Sequence, residues 1–262
     1  SRLYGRTKPG TLLKHQIPIR TDNWDLKTPG FTEVDTVSHS GNSAHGLFAY
    51  TVNQTDLLTT WVESRAVLGK GEVGVVAALD AMAQALPFPL KGLDSDNGSE
   101  FINWHLLRYC QRHHIQPFRS RPYKKDDNAH IEQKNWTHVR KLVGWDRYDT
   151  PAAIAALNDL YQNELRLYLN LCLPSVKLAG KKRVGSKLLR RYEAPKTPFQ
   201  RVLDAGGGHP HRIAELQRLR KTLDPFILAT TIERKLQTIF CLANRRHSPR
   251  VQTKSHNKIK NP

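Results

Sequence analysis

This sequence has few cysteines and no long apolar stretch. Its three cysteines, Cys110, Cys172 and Cys241, lie far apart and form no zinc-binding pair, so a reduced, cytosolic setting is expected. No apolar run approaches the roughly 20 residues that span a bilayer. Nothing at the N-terminus resembles a signal peptide, so no membrane association is expected.

Methionine is almost missing as well. The chain begins at Ser1, and its only methionine is Met82, so we expect a fragment or a processed product of a longer protein. Its 262 residues are nevertheless enough for one sizeable hydrophobic core with additional elements.

Acidic residues are scarce in the last third of the chain. Residues 1–172 carry 20 Lys/Arg against 18 Asp/Glu, whereas residues 173–262 carry 21 against 5. Such a basic segment is typical of a protein that binds a polyanion, because neutralised phosphates release counterions. The alternative is a solvated or disordered tail, and nucleic acid is favoured because the acids described next support it independently.

Three acidic residues are candidate metal ligands, and each lies in or next to an expected strand or helix. Asp96 follows a short strand and precedes a helix, with Asn97 and Gly98 as the turn between them. Asp35 lies in the middle of an earlier extended run, and Glu132 lies in a later helical stretch. Two strand-borne aspartates and one helix-borne glutamate suit a hard divalent cation such as Mg²⁺, which prefers carboxylate oxygens and keeps several waters.

The spacing and the surrounding residues resemble a known family. Asp35, Asp96 and Glu132, with 35 residues between the last two, resemble the D,D-35-E set of retroviral integrases and insertion-sequence transposases. Residues 95–101 are similar to the second-aspartate block of that family, and residues 121–135 to the glutamate block of its bacterial insertion-sequence branch. The resemblance is close over residues 29–145 and weaker on either side.

The resemblance implies a fold, a cofactor and a chemistry. The fold would be α/β, a ribonuclease H-like mixed sheet flanked by helices and followed by a basic helical C-terminal region. Two Mg²⁺ (or Mn²⁺) ions about 4 Å apart would neutralise the converging carboxylates. We expect Asp35 to bridge both ions, with Asp96 on one and Glu132 on the other.

Several other acids compete for these roles. Asp94 is a surface or strand-end alternative to Asp96, and the motif favours Asp96. Glu100 suits favourable pairing with a helix N-terminus better than metal binding. Asp126 and Asp127 suit a polar turn. His130 could orient a ligand or contact phosphate, and a surface position at a helix start fits it equally well.

A set of cations near the glutamate is expected to contact DNA. It comprises Arg119, Arg121, Lys124, Lys125, Arg140 and Lys141. The first four lie in the loop before the glutamate helix, and the last two lie two turns beyond Glu132. An ordinary solvated basic face is the alternative.

Periodicity and capping signals give the expected organisation. An N-terminal arm over 1–28 precedes a ribonuclease H-like integrase catalytic core over 29–172, a basic linker over 173–211, a helical C-terminal segment over 212–244 and a disordered basic tail over 245–262. Strands are predicted at 31–37, 45–52, 58–67, 90–95 and 115–120, and helices at 70–86, 99–114, 130–143, 152–171, 212–222 and 224–243.

The leading hypothesis is a metal-dependent DNA transposase that cleaves 3′-ends and transfers strands. A ribonuclease H-like nuclease that only hydrolyses is chemically similar, and a catalytically silent DNA-binding remnant is a third possibility. The resemblance also implies DNA (element ends and target) as partner, a homo-oligomer on that DNA and a bacterial cytoplasmic, nucleoid-associated location.

Overall fold

The structure is a computed structural model. It describes residues 27–95, 100–118, 139–184 and 187–247. The predicted N-terminal arm up to residue 26, the predicted glutamate helix up to residue 138 and the tail from residue 248 lie outside the described residues.

A five-stranded mixed sheet forms the centre of the molecule. Its strands are β1 (Phe31–His39), β2 (Ala49–Asp56), β3 (Val62–Leu68), β4 (Gly92–Ser95) and β5 (Gln116–Phe118), in the spatial order β3-β2-β1-β4-β5. The first three strands pair antiparallel, and β4 and β5 continue the sheet in parallel with β1. The predicted ribonuclease H-like mixed sheet with flanking helices is therefore confirmed.

Strand β1 is central because both of its faces are covered. Val34 is buried in a cluster with side chains from β2, β3 and the helices of one face. Residues on the other face, including Glu33 and His39, are also buried. Because successive side chains of a strand point to opposite faces, the odd-numbered positions of β1, including Asp35, share the second face.

Helices α1 (Glu72–Ala85) and α2 (Glu100–His113) cover the first face of the sheet. Val75, Leu79 and Met82 recur at helical spacing along α1 and are buried against Leu106 and Tyr109 of α2. Helix α1 ends before Pro87 and Pro89, as the positions of the prolines predicted.

The second face is covered from the C-terminal side of the core. A short helix α3 (Lys141–Val143) is followed by α4 (Pro151–Gln162), α5 (Glu164–Leu167) and a π-helical turn (Tyr168–Cys172). Thr150 caps α4 by accepting a hydrogen bond from the backbone N of Ala153, as its position before a proline predicted. The structure differs from the single helix predicted over 152–171, because the helix is interrupted near Asn163, between α4 and α5.

The C-terminal region contains a hairpin and three helices. Strands β6 (Leu178–Val184) and β7 (Lys187–Tyr192) form a separate two-stranded sheet inside the predicted basic linker. Helices α6 (Pro198–Ala205), α7 (Pro210–Thr222) and α8 (Pro225–Cys241) follow. No helix within the described ranges is long and apolar enough to cross a membrane.

The helical C-terminal segment packs directly on the core. Ile232, Leu236 and Ile239 of α8 are buried in one cluster with Leu157 and Leu160 of α4. A second cluster joins Phe199 and Val202 of α6, together with Leu216 of α7, to Trp61 and Phe88 of the core. These helices therefore pack on the sheet-containing unit and share its hydrophobic interior.

Candidate active site

Asp35 lies on the central strand with a half-buried carboxylate. Its Oδ1 accepts a hydrogen bond from the backbone N of Thr36 at 2.6 Å. On the neighbouring strand, the residue in register with Asp35 is Asn53, whose Oδ1 accepts from the hydroxyl of Ser64 at 2.6 Å. The carboxylate is therefore fixed by the strand backbone and remains partly accessible.

The parallel pairing of β1 with β4 brings Asp35 next to the strand that leads into Asp96. The last register pair of these strands joins Val34 to Ser95. Asp35 is the next residue along β1, and Asp96 is the next residue of the chain after Ser95. Asp96 itself lies outside the described residues, as does Glu132, so Asp35 is the member of the predicted triad whose surroundings are described.

Two further acids lie beside Asp35 on the same face of the sheet. Glu33 precedes it by two positions on β1, and Asp94 pairs with Glu33 on β4. Residues directly opposite each other on neighbouring strands share a face. Both acids are only 1% exposed. Of the two alternatives given for Asp94, a surface position is therefore excluded, whereas a position near the end of a strand agrees with its place on β4.

Of the two flanking acids, Asp94 was considered as an alternative to Asp96, whereas Glu33 was not among the candidates. Each lies two positions before a predicted ligand, Glu33 before Asp35 and Asp94 before Asp96. That alternation was visible in the sequence, because a spacing of two puts both residues of each pair on one face of a strand. The face that carries Asp35 therefore holds two further acidic side chains, both of them buried.

Of the predicted DNA contacts, Arg140 and Lys141 are described, whereas Arg119, Arg121, Lys124 and Lys125 lie outside the described residues. The guanidinium of Arg140 lies over the ring of Trp145, with 4.2 Å from its central carbon to the ring centroid. Arg140 is half-buried, and burial lowers its pKa. Lys141 is exposed at the first position of α3.

A buried polar chain lies near Arg140 on this face. The ring Nε2 of His39 is 2.7 Å from the hydroxyl of Thr51, which is 3.0 Å from the hydroxyl of Tyr161. Burial, with a smaller contribution from the positive charge of Arg140, lowers the pKa of His39 to about 3. The imidazole is therefore neutral at physiological pH and serves as a fixed hydrogen-bonding group.

The described residues alone include no group of three His, Cys, Asp or Glu side chains that could hold a metal ion. Two members of the predicted triad lie outside that search. What is described suits a hard cation: Asp35 offers a partly accessible carboxylate on a rigid strand, at the edge of a face rich in acids.

Comparison with known proteins gives a sequence relative and several structural neighbours. No protein-family model matches the chain. The chain is 40% identical over 208 residues to the "Uncharacterized protein y4rM" of Sinorhizobium fredii (strain NBRC 101917 / NGR234), a match that covers 79% of this chain and 58% of that protein. The chain therefore spans somewhat more than half the length of this relative.

The structural neighbours include retroviral integrases. The integrase catalytic core domain of HTLV-2, in complex with magnesium, covers 56% of this chain and 91% of its own, with 14% identity and a TM-score of 0.40. The catalytic core domain of BIV integrase covers 67% and 95%, with 14% identity and a TM-score of 0.42. A simian T-cell lymphotropic virus intasome in complex with PP2A regulatory subunit B56 gamma covers 66% and 54%, with 13% identity and a TM-score of 0.44.

Proposed function

We propose that this chain contains the catalytic core and basic C-terminal region of a DNA transposase of the D,D-35-E type. It cleaves DNA at the 3′-ends of an insertion sequence and joins those ends to target DNA. Three features support the proposal: the spacing of Asp35, Asp96 and Glu132, the sheet order β3-β2-β1-β4-β5, and the strongly basic last third of the chain.

The observation that carries the proposal is the register of β1 and β4. Asp35 lies one position beyond the pair Val34–Ser95, beside the end of the strand that leads into Asp96. A strand that continued in the same register would put the two aspartates side by side. This is the arrangement that a metal-dependent phosphoryl transfer requires, since carboxylates must converge on one point.

The chemistry needs no covalent link between protein and DNA. Asp35, Asp96 and Glu132 would hold two Mg²⁺ ions, which supply charge stabilisation for the attacking and leaving oxygens when bound. In cleavage, the oxygen of a water attacks phosphorus, the bond from phosphorus to the 3′-oxygen breaks, and that oxygen leaves with the electron pair and gains a proton.

In strand transfer, the 3′-hydroxyl oxygen just released attacks a phosphorus of the target strand. A new phosphodiester forms as the target's own 3′-oxygen leaves, so one such bond is exchanged for another and no high-energy cofactor is consumed. The residues of the chain contribute positioning and charge, which dominate phosphoryl transfer.

Cations of the core would hold the substrate in place. Arg140, stacked on Trp145, and exposed Lys141 lie at the start of α3, eight and nine positions after Glu132. They would bind phosphates of the element ends or of the target. In this proposal the protein acts as a homo-oligomer on DNA in the bacterial cytoplasm, associated with the nucleoid.

A strand-joining assay tests the proposal. Purified protein is incubated with Mg²⁺ or Mn²⁺, a supercoiled plasmid and labelled duplexes that carry the element ends. Joined product is expected from the wild type, and its loss is expected in both Asp35→Asn and Asp96→Asn. Glu233→Gln, which neutralises an exposed acid on α8, is the matched control and should retain activity.

Three outcomes would contradict the proposal. Nicking without joining would indicate a nuclease that only hydrolyses. Tight, salt-sensitive DNA binding without any metal-dependent product would indicate a DNA-binding remnant. Joined product that persists in Asp35→Asn would show that the chemistry takes place elsewhere.

A further inference from the structure

The hairpin β6–β7 (Leu178–Tyr192) is the most basic described element outside the candidate active site. Its sequence contains six Lys/Arg and no Asp or Glu. Its two strands pair antiparallel, with an irregularity in register between Leu178 and Gly180. Two described cations of the hairpin, Arg183 and Arg191, are exposed.

The hairpin is densely basic, and residues 178–192 include no acid that could neutralise this charge from within its own sequence. Like charges on one short element repel each other. A polyanion lying along the hairpin would remove the repulsion.

Every residue of the hairpin whose exposure the structure describes is exposed. Of its described side chains, Leu189 and Tyr192 are 55% and 53% exposed. It is a separate two-stranded sheet, and an isolated two-stranded hairpin is at best marginally stable in water. Its conformation therefore depends on how its base is attached to the core.

The base of the hairpin is fixed to the core by two cations. Lys177 donates from Nζ to the carbonyl oxygens of Leu57 and Leu58, at 3.2 and 2.7 Å, in the turn between β2 and β3. Arg201 of α6 donates to the backbone oxygen of Ser175 at 2.5 Å and to the hydroxyl of Thr60 at 3.2 Å. These hydrogen bonds occupy the ammonium group of Lys177, and burial lowers the pKa of that group. Lys177 therefore has a structural role.

The attachment point has a defined position relative to Asp35. The backbone N of Leu57 donates to the carbonyl oxygen of Phe31, so the turn that holds the hairpin lies at the start of β1. Asp35 lies four residues farther along that strand, which corresponds to about 13 Å at the usual rise of a strand. The hairpin therefore projects from the same sheet that carries the candidate catalytic acid.

We infer that the β6–β7 hairpin is a DNA-binding arm that contacts the phosphates of duplex DNA independently of base sequence. The inference rests on the proposed function, and it assigns to this arm a part of the protein's DNA binding. A two-stranded ribbon fits the major groove of B-DNA, which is about 12 Å wide. Each phosphate that the arm neutralises releases condensed counterions, which makes its contribution strongly dependent on salt.

A salt titration of DNA binding tests the arm. The affinity of the full chain for a labelled duplex is measured by fluorescence anisotropy without divalent cations, at salt concentrations from about 50 to 200 mM. For Arg183→Gln/Arg191→Gln, the slope of log affinity against log salt should become shallower by about 1 to 2, since each lost phosphate contact removes roughly 0.9. The affinity at low salt should fall on the order of tenfold.

Two matched variants distinguish the effect of charge at the hairpin on DNA binding from the effects of total charge and of misfolding. Arg218→Gln/Arg234→Gln removes two exposed cations from α7 and α8, and the wild-type slope should remain. Arg183→Lys/Arg191→Lys keeps both charges on the hairpin and should also keep the slope. Loss of the slope in the lysine variant would instead indicate a folding defect, which would overturn the assignment.

Failure of the arm and failure of the proposed function give different results. If the wild type binds DNA with a steep dependence on salt and Arg183→Gln/Arg191→Gln retains that dependence, the hairpin is not a DNA-binding arm. The proposed function then stands. An equal loss in the α7/α8 control would likewise overturn the arm, because binding would then follow net charge alone. If the wild type does not bind duplex DNA, both proposals fail.

Discussion

The side-chain amide of Asn158 pairs with the backbone of Ala66 as a neighbouring strand would. Its Oδ1 accepts from the backbone N of Ala66 at 2.8 Å, and its Nδ2 donates to the carbonyl oxygen of the same residue at 2.9 Å. Ala66 lies on β3, which is an edge strand of the five-stranded sheet. A helix side chain thus satisfies backbone groups that the sheet leaves open.

A second asparagine repeats this arrangement four positions earlier on the same strand. Asn170 accepts from the backbone N of Val62 at 2.9 Å and donates to its carbonyl oxygen at 2.8 Å. An edge strand with open backbone groups is a template for pairing with another chain. The two amides therefore close β3 against such pairing while they attach α4 and the π-helical turn to the sheet.

Replacing Asn170 with alanine should destabilise the fold. The side chain is fully buried, so Asn170→Ala leaves the backbone N and O of Val62 without partners and opens a small cavity. The expected loss in free energy of unfolding is about 2 to 4 kcal/mol. Urea denaturation of the variant and the wild type measures it.

Asn163→Ala is the control for that experiment. Asn163 is exposed, and its side-chain amide donates to Asp159 of the preceding turn, so its replacement should cost less than about 1 kcal/mol. Equal losses in the two variants would show that the pairing of Asn170 with β3 contributes nothing specific.

Local signals were sufficient to predict most of the core. Alternation along β1 and the helical spacing of Val75, Leu79 and Met82 depend on near neighbours in sequence. The caps at Thr150 and Asp224 act within a single turn of helix. These features predicted the mixed α/β order of the elements, which restricts the sheet to few topologies. The ribonuclease H-like arrangement itself was implied by the resemblance of the acidic motifs.

Other elements were missed for identifiable reasons. Helix α6 begins with Thr197 as cap and Pro198 at its first position, the same signal that marked α4, but the surrounding charge obscured it. The hairpin was interpreted as a basic linker because its strands lack apolar alternation. Its base is held in place by contacts of Lys177 and Arg201 with the core. Contacts of this kind join residues far apart in sequence, so no local pattern indicates them.

The candidate site was predicted through a motif and only partly through strand geometry. Asp35 could be assigned to the middle of a strand from alternation alone. Its position one residue beyond the last β1–β4 pair depends on a register between strands some 60 residues apart. The burial of Glu33 and Asp94 depends on the same pairing, which explains why a surface position for Asp94 was left open alongside a strand end.

Arg147 should be essential for the loop between β1 and β2. Its guanidinium donates to the carbonyl oxygens of Ser40, Ser43, His45 and Leu47, and its Nε donates to Asp149 at 2.7 Å. The ammonium of lysine cannot reproduce this planar set of donors. Arg147→Lys should therefore lower the free energy of unfolding by about 2 to 3 kcal/mol and increase hydrogen exchange over residues 40–47.

Arg112→Lys provides the comparison for that prediction, since Arg112 is exposed near the end of α2. It should change the free energy of unfolding by less than about 0.5 kcal/mol and leave exchange in the loop unaffected. Unchanged loop exchange in Arg147→Lys would mean that the carbonyl contacts do not hold the loop.

His39 should make stability depend on pH in the acidic range. Burial lowers the pKa of His39 from 6.5 to about 3 in the folded state. Between these values the unfolded chain binds a proton that the folded chain does not, so stability is lost as pH falls below 6.5 and is constant with respect to this group above it. The expected contribution is up to about 1.4 kcal/mol per pH unit.

Urea denaturation from about pH 5 to pH 8, the range in which this group should act, measures that slope. His39→Gln can still bond to Thr51 but cannot be protonated, so its stability should depend less on acid than that of the wild type. His211→Gln, which removes an exposed histidine of α7, should behave as the wild type. Identical acid dependence in His39→Gln and the wild type would mean that His39 is protonated in the folded protein.

Mg²⁺ should stabilise the folded chain through Asp35. In the proposed triad, the carboxylates of Asp35, Asp96 and Glu132 would repel one another until a cation neutralises them. A cation that binds only the folded state adds stability as its concentration exceeds the dissociation constant, by about 2.7 kcal/mol at a hundredfold excess. The melting temperature of the wild type should therefore rise with added Mg²⁺.

The variant Asp35→Asn tests this prediction most directly. Replacing the carboxylate should raise the melting temperature in the absence of metal, because repulsion is relieved, and abolish the increase with Mg²⁺, because a ligand is lost. Glu233→Gln removes one exposed negative charge from α8 and should retain the full metal response. A response in Asp35→Asn equal to that of the wild type would place any Mg²⁺ site away from β1, and the carboxylate of Asp35 would then have no part in metal binding.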